Sequence, residues 1–228
     1  MMSRACESFV PAASAVTAEF DASLKGAGVV WYGTIDGAEG AGGVCAVDLS
    51  FLGFGEDSSF QNLSEFIGAV IAVAGQVIMG LHGQTMSLRG DSVTALTWAI
   101  TERPKGERVT RAAIIWTMLC VAVNINMDSI THISGKSNGV CDAPSRRGTK
   151  QKLTVKEHAI LLGLGEVKVI DVHDVHGDED VMALLELCRP GSSSQTDEEF
   201  AAFWKRARSA VESFVARFPI PNLELPHT

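Results

Sequence analysis

The stretch TAEFDASLKGAGVVWYGTI, residues 17–35, predicts two β-strands joined by a tight turn at SLKG. A β-branched and aromatic run from Val29 to Tyr32 marks the second strand. The glycine-rich residues 36–43 predict another turn, and VCAVDLSFL (44–52) predicts a third strand. Three short strands with tight connections predict an antiparallel meander.

The hydrophobic period changes in the next segment. Apolar residues recur with helical spacing from residue 63 to about 79. The later predicted elements are a strand at 85–90, helices at 91–101 and 109–126, a strand at 129–134 and a helix near residue 142. Helices therefore separate the last strands. The order βββαβααβα predicts an α/β fold, in which a five-stranded mixed sheet begins with three antiparallel strands and is flanked by helices.

The last third of the chain has a different pattern. Three amphipathic segments, at 153–167, 178–188 and 198–218, predict helices, and a loop rich in serine and acids precedes the last of them. We therefore expect a first domain at residues 15–149, followed by a helical C-terminal extension at 150–228.

Composition limits the class of protein. The chain has 228 residues, of which 46% are hydrophobic, so it can bury a sizeable core. Its net charge of −8 argues mildly against a nucleic-acid binder that relies on charge. Five scattered cysteines without a CxxC pair suggest a reducing, intracellular compartment, cytoplasmic or nuclear. The apolar stretches at 66–81 and 112–127 contain amides and are short for a membrane span, so we expect buried helices and no membrane partner.

Four acids stand at the ends or in the middle of predicted elements: Asp21, Glu65, Asp91 and Asp142. Three of them have a structural alternative. Asn62 and Glu65 have the spacing of a capping box, and Asp91 and Asp142 precede helices as N-caps often do. Asp21 lies within a strand, where capping cannot explain it.

Four converging carboxylates would repel one another unless divalent cations neutralised them. Clusters made of oxygen ligands alone suit Mg²⁺. Two such ions about 4 Å apart can activate a water molecule and stabilise the leaving oxygen of a phosphodiester. The acids thus predict a two-metal phosphodiesterase site.

Four segments carry a resemblance to a known family. FDASLKGAG (20–28), NLSEFIGAV (62–70), LRGDS (88–92) and HISGKSNGVCDAPSR (132–146), in this order, resemble the ribonuclease H domain of retroelement reverse transcriptases of the long-terminal-repeat type. The resemblance covers roughly residues 17–147, and it departs from the family at Ala27 and at Pro144. It implies a ribonuclease H-like fold and two Mg²⁺ ions, which Mn²⁺ can replace.

The resemblance also implies roles for individual residues. Asp21, Glu65, Asp91 and Asp142 match the metal-binding catalytic carboxylates, and His132 matches the catalytic histidine of the loop. His132 has an alternative role as the end of the fifth strand, pointing into the sheet. The substrate-binding residues implied are Gln61, Asn62, Ser23, Ser92 and Asn138. Asn62 could equally be a helix cap.

The expected function is that of an endoribonuclease that cuts the RNA strand of an RNA–DNA hybrid. Hybrids are recognised through the 2′-hydroxyl groups of one strand, a task that suits amide side chains. The expected protein partner is the polymerase domain of a reverse transcriptase. Two alternatives remain: a DNA-cutting nuclease of the transposase kind with the same fold, and a catalytically silent scaffold whose extension binds a protein.

Overall fold

The computed structural model describes residues 15–35, 38–80, 85–101, 107–146, 168–171, 179–191 and 194–218. Its elements are β1 (Ala15–Ala22), β2 (Gly26–Ile35), β3 (Ala38–Asp48), α1 (Ser58–Ile78), β4 (Thr85–Gly90), α2 (Val93–Thr101), α3 (Glu107–Ala122), β5 (Asn126–His132), α4 (Gly139–Ser145), β6 (Lys168–Asp171), α5 (Glu179–Leu187) and α6 (Asp197–Arg217). The helix predicted at 153–167 lies outside the described residues.

The strands form one mixed sheet in the order β5-β4-β1-β2-β3-β6. β1, β2 and β3 pair antiparallel, whereas β4 is parallel to β1 and β5 is parallel to β4. The five predicted strands and their flanking helices are confirmed, and the fold is ribonuclease H-like. The extension adds a sixth strand that the sequence did not predict, because β6 has only four residues and depends on parallel pairing with β3.

Several predicted boundaries were wrong, since β3 ends at Asp48, β5 spans Asn126–His132 and α1 begins at Ser58. Two further differences have a clear physical reason. The glycine-rich turn belongs mostly to β3, which begins at Ala38, because pairing with β2 extends the hairpin and places Gly40 opposite Gly33. The helix predicted to reach residue 126 ends at Ala122. Asn124 has a φ of 50°, a left-handed conformation that stops a helix, and the following residues pair with β4 as β5.

Alternation along β1 separates the two faces of the sheet. Val16, Ala18, Phe20 and Ala22 are buried in the larger hydrophobic cluster, together with residues of α1, α2 and α3. The opposite face has a smaller cluster to which α4 contributes Cys141. Asp21 therefore lies on the α4 face of a central strand.

Helix α1 is the one helix among the described residues that is long and apolar enough to cross a membrane. Of its apolar window, 83% is buried within the structure. Trp31 on β2 packs against it and donates its indole N–H to the carbonyl of Ala72 at 3.1 Å. These contacts are those of a core helix.

The C-terminal helices pack onto the same core. Val181 and Leu184 of α5, and Phe203 and Phe214 of α6, are buried in the larger hydrophobic cluster. The division between a catalytic domain at 15–149 and an extension at 150–228 stays a prediction. The described part of the extension is nevertheless joined to the sheet by β6 and to the core by two helices.

Candidate metal centre

Asp21 lies near the carboxyl end of β1, opposite Gly28 of β2. It is only 9% exposed. Its Oδ2 accepts a hydrogen bond of 2.6 Å from the hydroxyl of Ser145 in α4. The position of this carboxylate is thus set by a strand on one side and by a short helix on the other.

The positions of Asp91 and His132 are set by the two strands that they follow or end. Asp91 comes directly after β4, and His132 is the last residue of β5. Because β1, β4 and β5 are parallel, their carboxyl ends lie at one edge of the sheet, where α/β proteins commonly bind ligands. The ring of His132 is exposed and donates from Nε2 to the main-chain carbonyl of Asp91 at 3.1 Å. His132 does end the strand, but it does not point into the sheet.

Glu65 reaches the same edge from α1. This helix begins at Ser58, so Glu65 lies at the end of its second turn and not in its first turn. Its Oε2 accepts from the backbone N–H of Ala22 at 3.2 Å, and its Oε1 accepts from Nε2 of Gln61 at 3.0 Å. Gln61 also donates to the carbonyl of Ala22 at 2.8 Å. These bonds tie the carboxylate to the end of β1.

Three of the four predicted carboxylates converge. Asp21, Glu65 and Asp91 each offer one oxygen, and these oxygens all lie within 4.8 Å of one another. The three residues come from β1, α1 and the end of β4, so the tertiary fold creates the cluster. Oxygen donors of this number and spacing suit a hard divalent cation, and the cluster could therefore hold one.

The raised pKa values of two of these carboxylates also favour a bound cation. Burial raises the pKa of Glu65 from 4.5 to about 8, and the charges of Asp21 and Asp91 add to the effect. Burial also raises the pKa of Asp21 from 3.8 to about 6, opposed by the hydrogen bond from Ser145. The charges of Asp91 and Asp142 raise it further. Arg146 lowers the pKa of Asp21 without cancelling these effects, so the ionised cluster has excess negative charge that a bound cation would neutralise.

Asp142 lies outside the three-carboxylate group. Its Oδ1 accepts from Nε and from the terminal nitrogen of Arg146, at 2.7 and 2.6 Å. Both side chains are substantially exposed, 45% for Asp142 and 59% for Arg146. The charge of Asp142 still raises the pKa of Asp21, so the two groups are near each other. Its role as a fourth ligand stays a prediction.

Helix capping does not explain the acids. Asp57 caps α1, and its side chain accepts from the N–H of Ser59. Ser92 caps α2 by accepting from the N–H of Ala95 at 3.3 Å. The capping alternatives are therefore wrong for Glu65 and for Asp91.

The same alternative is wrong at the last helix and for Asn62. The carbonyl of Asn138 accepts the first bonds of α4, whereas Asp142 is already within its first turn. Asn62 is inside α1 and caps nothing. Residues other than the predicted acids occupy the N-cap positions, so helix capping does not explain these carboxylates.

The predicted substrate-binding residues occupy several environments. Ser23 lies in the β1–β2 turn and donates to the carbonyl of Ser145 at 3.1 Å. Asn138 is 1% exposed and donates from Nδ2 to the carbonyl of Phe20 at 2.9 Å, beside Asp21 in the chain. Asn62 is partly buried in α1. Substrate contacts by these residues, and by Gln61 and Ser92, stay predictions.

The sequence did not reveal the contacts that hold the cluster in place, although Gln61 was predicted as a substrate-binding residue. Gln61 binds Glu65, and Ser145 binds Asp21. The spacing of four residues between Gln61 and Glu65 was a usable signal, since residues so spaced meet on a helix. No local signal joins Ser145 to Asp21, because 124 positions separate them in the chain.

Comparison with solved structures shows a likeness to a known nuclease. The crystal structure of RNase H1 from the halophilic archaeon Halobacterium salinarum NRC-1 matches with a TM-score of 0.44 and 21% sequence identity, over 57% of this chain and 92% of that one. No protein-family model and no curated protein matches the chain. The fold assignment rests on the strand order and directions. Fold and site together define a ribonuclease H-like α/β protein with a carboxylate cluster that could bind a metal ion.

Proposed function

We propose that this chain is a Mg²⁺-dependent endoribonuclease that cuts the RNA strand of RNA–DNA hybrids. The observation that carries the proposal is the convergence of Asp21, Glu65 and Asp91, with oxygens within 4.8 Å of one another, at the carboxyl edge of three parallel strands. Divalent ions in such a site supply an activated water molecule and stabilise the leaving oxygen of a phosphodiester. Two Mg²⁺ ions are proposed, with Mn²⁺ as a functional substitute.

The chain's own residues have separate tasks in this proposal. Asp21, Glu65 and Asp91 would hold the cations, with Asp142 as the proposed fourth ligand. The proposed task of His132 is proton transfer: its Nε2–H is engaged by the carbonyl of Asp91, so Nδ1 is the nitrogen that would accept a proton in the neutral ring. The side chain of His132 is exposed, so the ring is open to solvent.

The proposal also covers how the chain would recognise an RNA–DNA hybrid and from which family it descends. Gln61, Asn62, Ser23, Ser92 and Asn138 are the proposed substrate-binding set, and 2′-hydroxyl groups are the feature that such polar groups would read. The sequence motifs described above support descent from a reverse transcriptase of the long-terminal-repeat type. The polymerase domain of such an enzyme is the proposed partner, in an intracellular compartment, cytoplasmic or nuclear.

A cleavage panel tests the proposal. Matched hybrid, double-stranded RNA and double-stranded DNA are incubated with the full chain in Mg²⁺, in Mn²⁺ and in EDTA. We expect metal-dependent cleavage of the hybrid's RNA strand alone. Cleavage of DNA would favour the transposase-like nuclease, and absence of any cleavage by a folded chain that binds Mg²⁺ would favour the scaffold.

Two variants link that activity to the cluster. Asp21→Asn should abolish cleavage without loss of fold, since removing one charge from an acidic cluster relieves repulsion. Asp128→Asn is the matched control, because Asp128 is an acid of the same sheet on β5 that lies outside the cluster. Near-normal cleavage by a folded Asp21→Asn protein would contradict the proposal.

A further inference from the structure

Helix α4 lies unusually close to the β1–β2 hairpin. A Cβ at Gly26 would lie 2.4 Å from the carbonyl oxygen of Ser145, and a Cβ at Gly28 would lie 2.6 Å from the Cβ of Pro144. Only glycine permits this approach. The turn adds a bond from the hydroxyl of Ser23 to the carbonyl of Ser145 at 3.1 Å. The C-terminal end of α4 thus packs closely against the strands beside Asp21.

This close packing brings a hydroxyl group to a proposed metal ligand. Ser145 is 1% exposed, and its Oγ lies 2.6 Å from Oδ2 of Asp21 and 2.8 Å from the carbonyl oxygen of Asp142. A serine hydroxyl has one hydrogen to donate. With Asp21 ionised, that hydrogen goes to the carboxylate, because a charge-assisted hydrogen bond is stronger than one to a neutral carbonyl.

We propose that Ser145 is a positioning residue for the metal site. Its hydroxyl holds Oδ2 of Asp21, fixes the rotation of the carboxylate about its Cβ–Cγ bond and so sets where Oδ1 points. The affinity of the cluster for a divalent cation then depends on how α4 packs against the β1–β2 hairpin. This inference rests on the proposed function of Asp21, Glu65 and Asp91 as metal ligands.

Ser64 provides a comparison within the same chain. It is also fully buried in a helix, and its hydroxyl donates to the carbonyl of Phe60, one turn earlier, at 2.9 Å. Ser145 has the equivalent backward contact to Asp142 and, in addition, the carboxylate of Asp21. The two serines therefore differ in the contact that matters for the proposal.

The test measures metal binding directly, without catalysis. Binding of Mn²⁺ to the full chain is followed by the loss of the free-ion signal in electron paramagnetic resonance, and Mg²⁺ binding is followed by calorimetry. The variants are Ser145→Ala and Ser145→Cys, which both lack a strong donor, with Ser64→Ala as the matched control. Thermal unfolding in EDTA reports the fold of each variant.

We expect both Ser145 variants to bind the metal about 10- to 100-fold more weakly, the usual effect of removing a group that orients a metal ligand. Ser64→Ala should bind as the wild type does. Wild-type affinity in a folded Ser145→Ala or Ser145→Cys protein overturns the inference and leaves the metal site standing. Absence of metal binding by the wild type overturns the proposed function itself, and this inference with it.

Discussion

Glu65 is an acid held where its charged form is unfavourable, and the free energy of unfolding should depend on pH for this reason. Its pKa in the folded chain is about 8, against an ordinary value of 4.5, and the residue is 7% exposed. A raised pKa gives stability that is fully present below pH 4.5 and is lost as the pH rises through about 8. Since a tenfold change in an ionisation constant corresponds to about 1.4 kcal/mol, the loss reaches up to about 5 kcal/mol.

Glu65→Gln isolates this effect, because the amide is a neutral mimic of the protonated acid at the same hydrogen-bonding site. Thermal unfolding is measured in EDTA at about pH 4 and about pH 9. The two proteins should melt together at the lower pH. At the higher pH the variant should melt higher by up to roughly 10–20 °C, since about 2–4 °C corresponds to 1 kcal/mol in a chain of this size.

Magnesium should reverse that order. A metal ion requires deprotonated carboxylates, so saturating Mg²⁺ stabilises the wild type most at high pH and stabilises Glu65→Gln far less. Asp128→Asn, which removes an acid outside the cluster, controls for net charge. A difference in melting temperature between wild type and Glu65→Gln that does not change with pH in EDTA would show that Glu65 does not titrate with a raised pKa.

Four further outcomes follow from the structure. His132→Ala should slow cleavage by roughly 10²-fold in single-turnover kinetics, within the usual range for acid–base help, whereas a wild-type rate would leave this histidine a structural role. Arg146→Gln should tighten Mg²⁺ binding in calorimetry, because it removes the cation that engages Asp142, and unchanged affinity would show that this ion pair is irrelevant to the site. Gly28→Ala should lower the free energy of unfolding in urea by about 1–3 kcal/mol through its clash with α4, and an unchanged value would mean that the helix shifts freely. Asp91→Asn, titrated with labelled hybrid in Ca²⁺, should bind weakly with a shallow salt dependence, since a chain of net charge −8 neutralises few phosphates, and a steep slope would reveal an unrecognised basic surface.

The sequence predicted the central fold because its signals are local. The β1–β2 hairpin follows from a strand-forming run with a tight turn, and β4 was predicted at its observed bounds. Helix α1 follows from a long amphipathic pattern. Its true start was missed, since Asp57 caps it from a loop that carries several residues able to do so. Strand β6 was missed because its pairing partner is far away in the chain.

Individual residues of the site were predictable from the sequence, whereas the contacts between them were not. Asp21 could be singled out because an acid inside a strand has no local explanation. The parallel direction of β4 explains why Asp91 meets it, and that direction becomes visible only in the sheet. The Asp142–Arg146 pair has the spacing of helical neighbours, but it forms on a helix whose bounds the sequence left open.

The carboxylate cluster destabilises the fold that contains it. Asp57, Ser92 and Asn138 already occupy the helix starts, so Glu65, Asp91 and Asp142 contribute no cap. Burial and mutual repulsion instead raise the pKa values of Asp21 and Glu65, which means that their ionised forms oppose folding near neutral pH. Departures from local consistency of this kind are expected at functional sites. A divalent cation would remove the repulsion, so the arrangement that costs stability in the metal-free protein would favour binding of the ion.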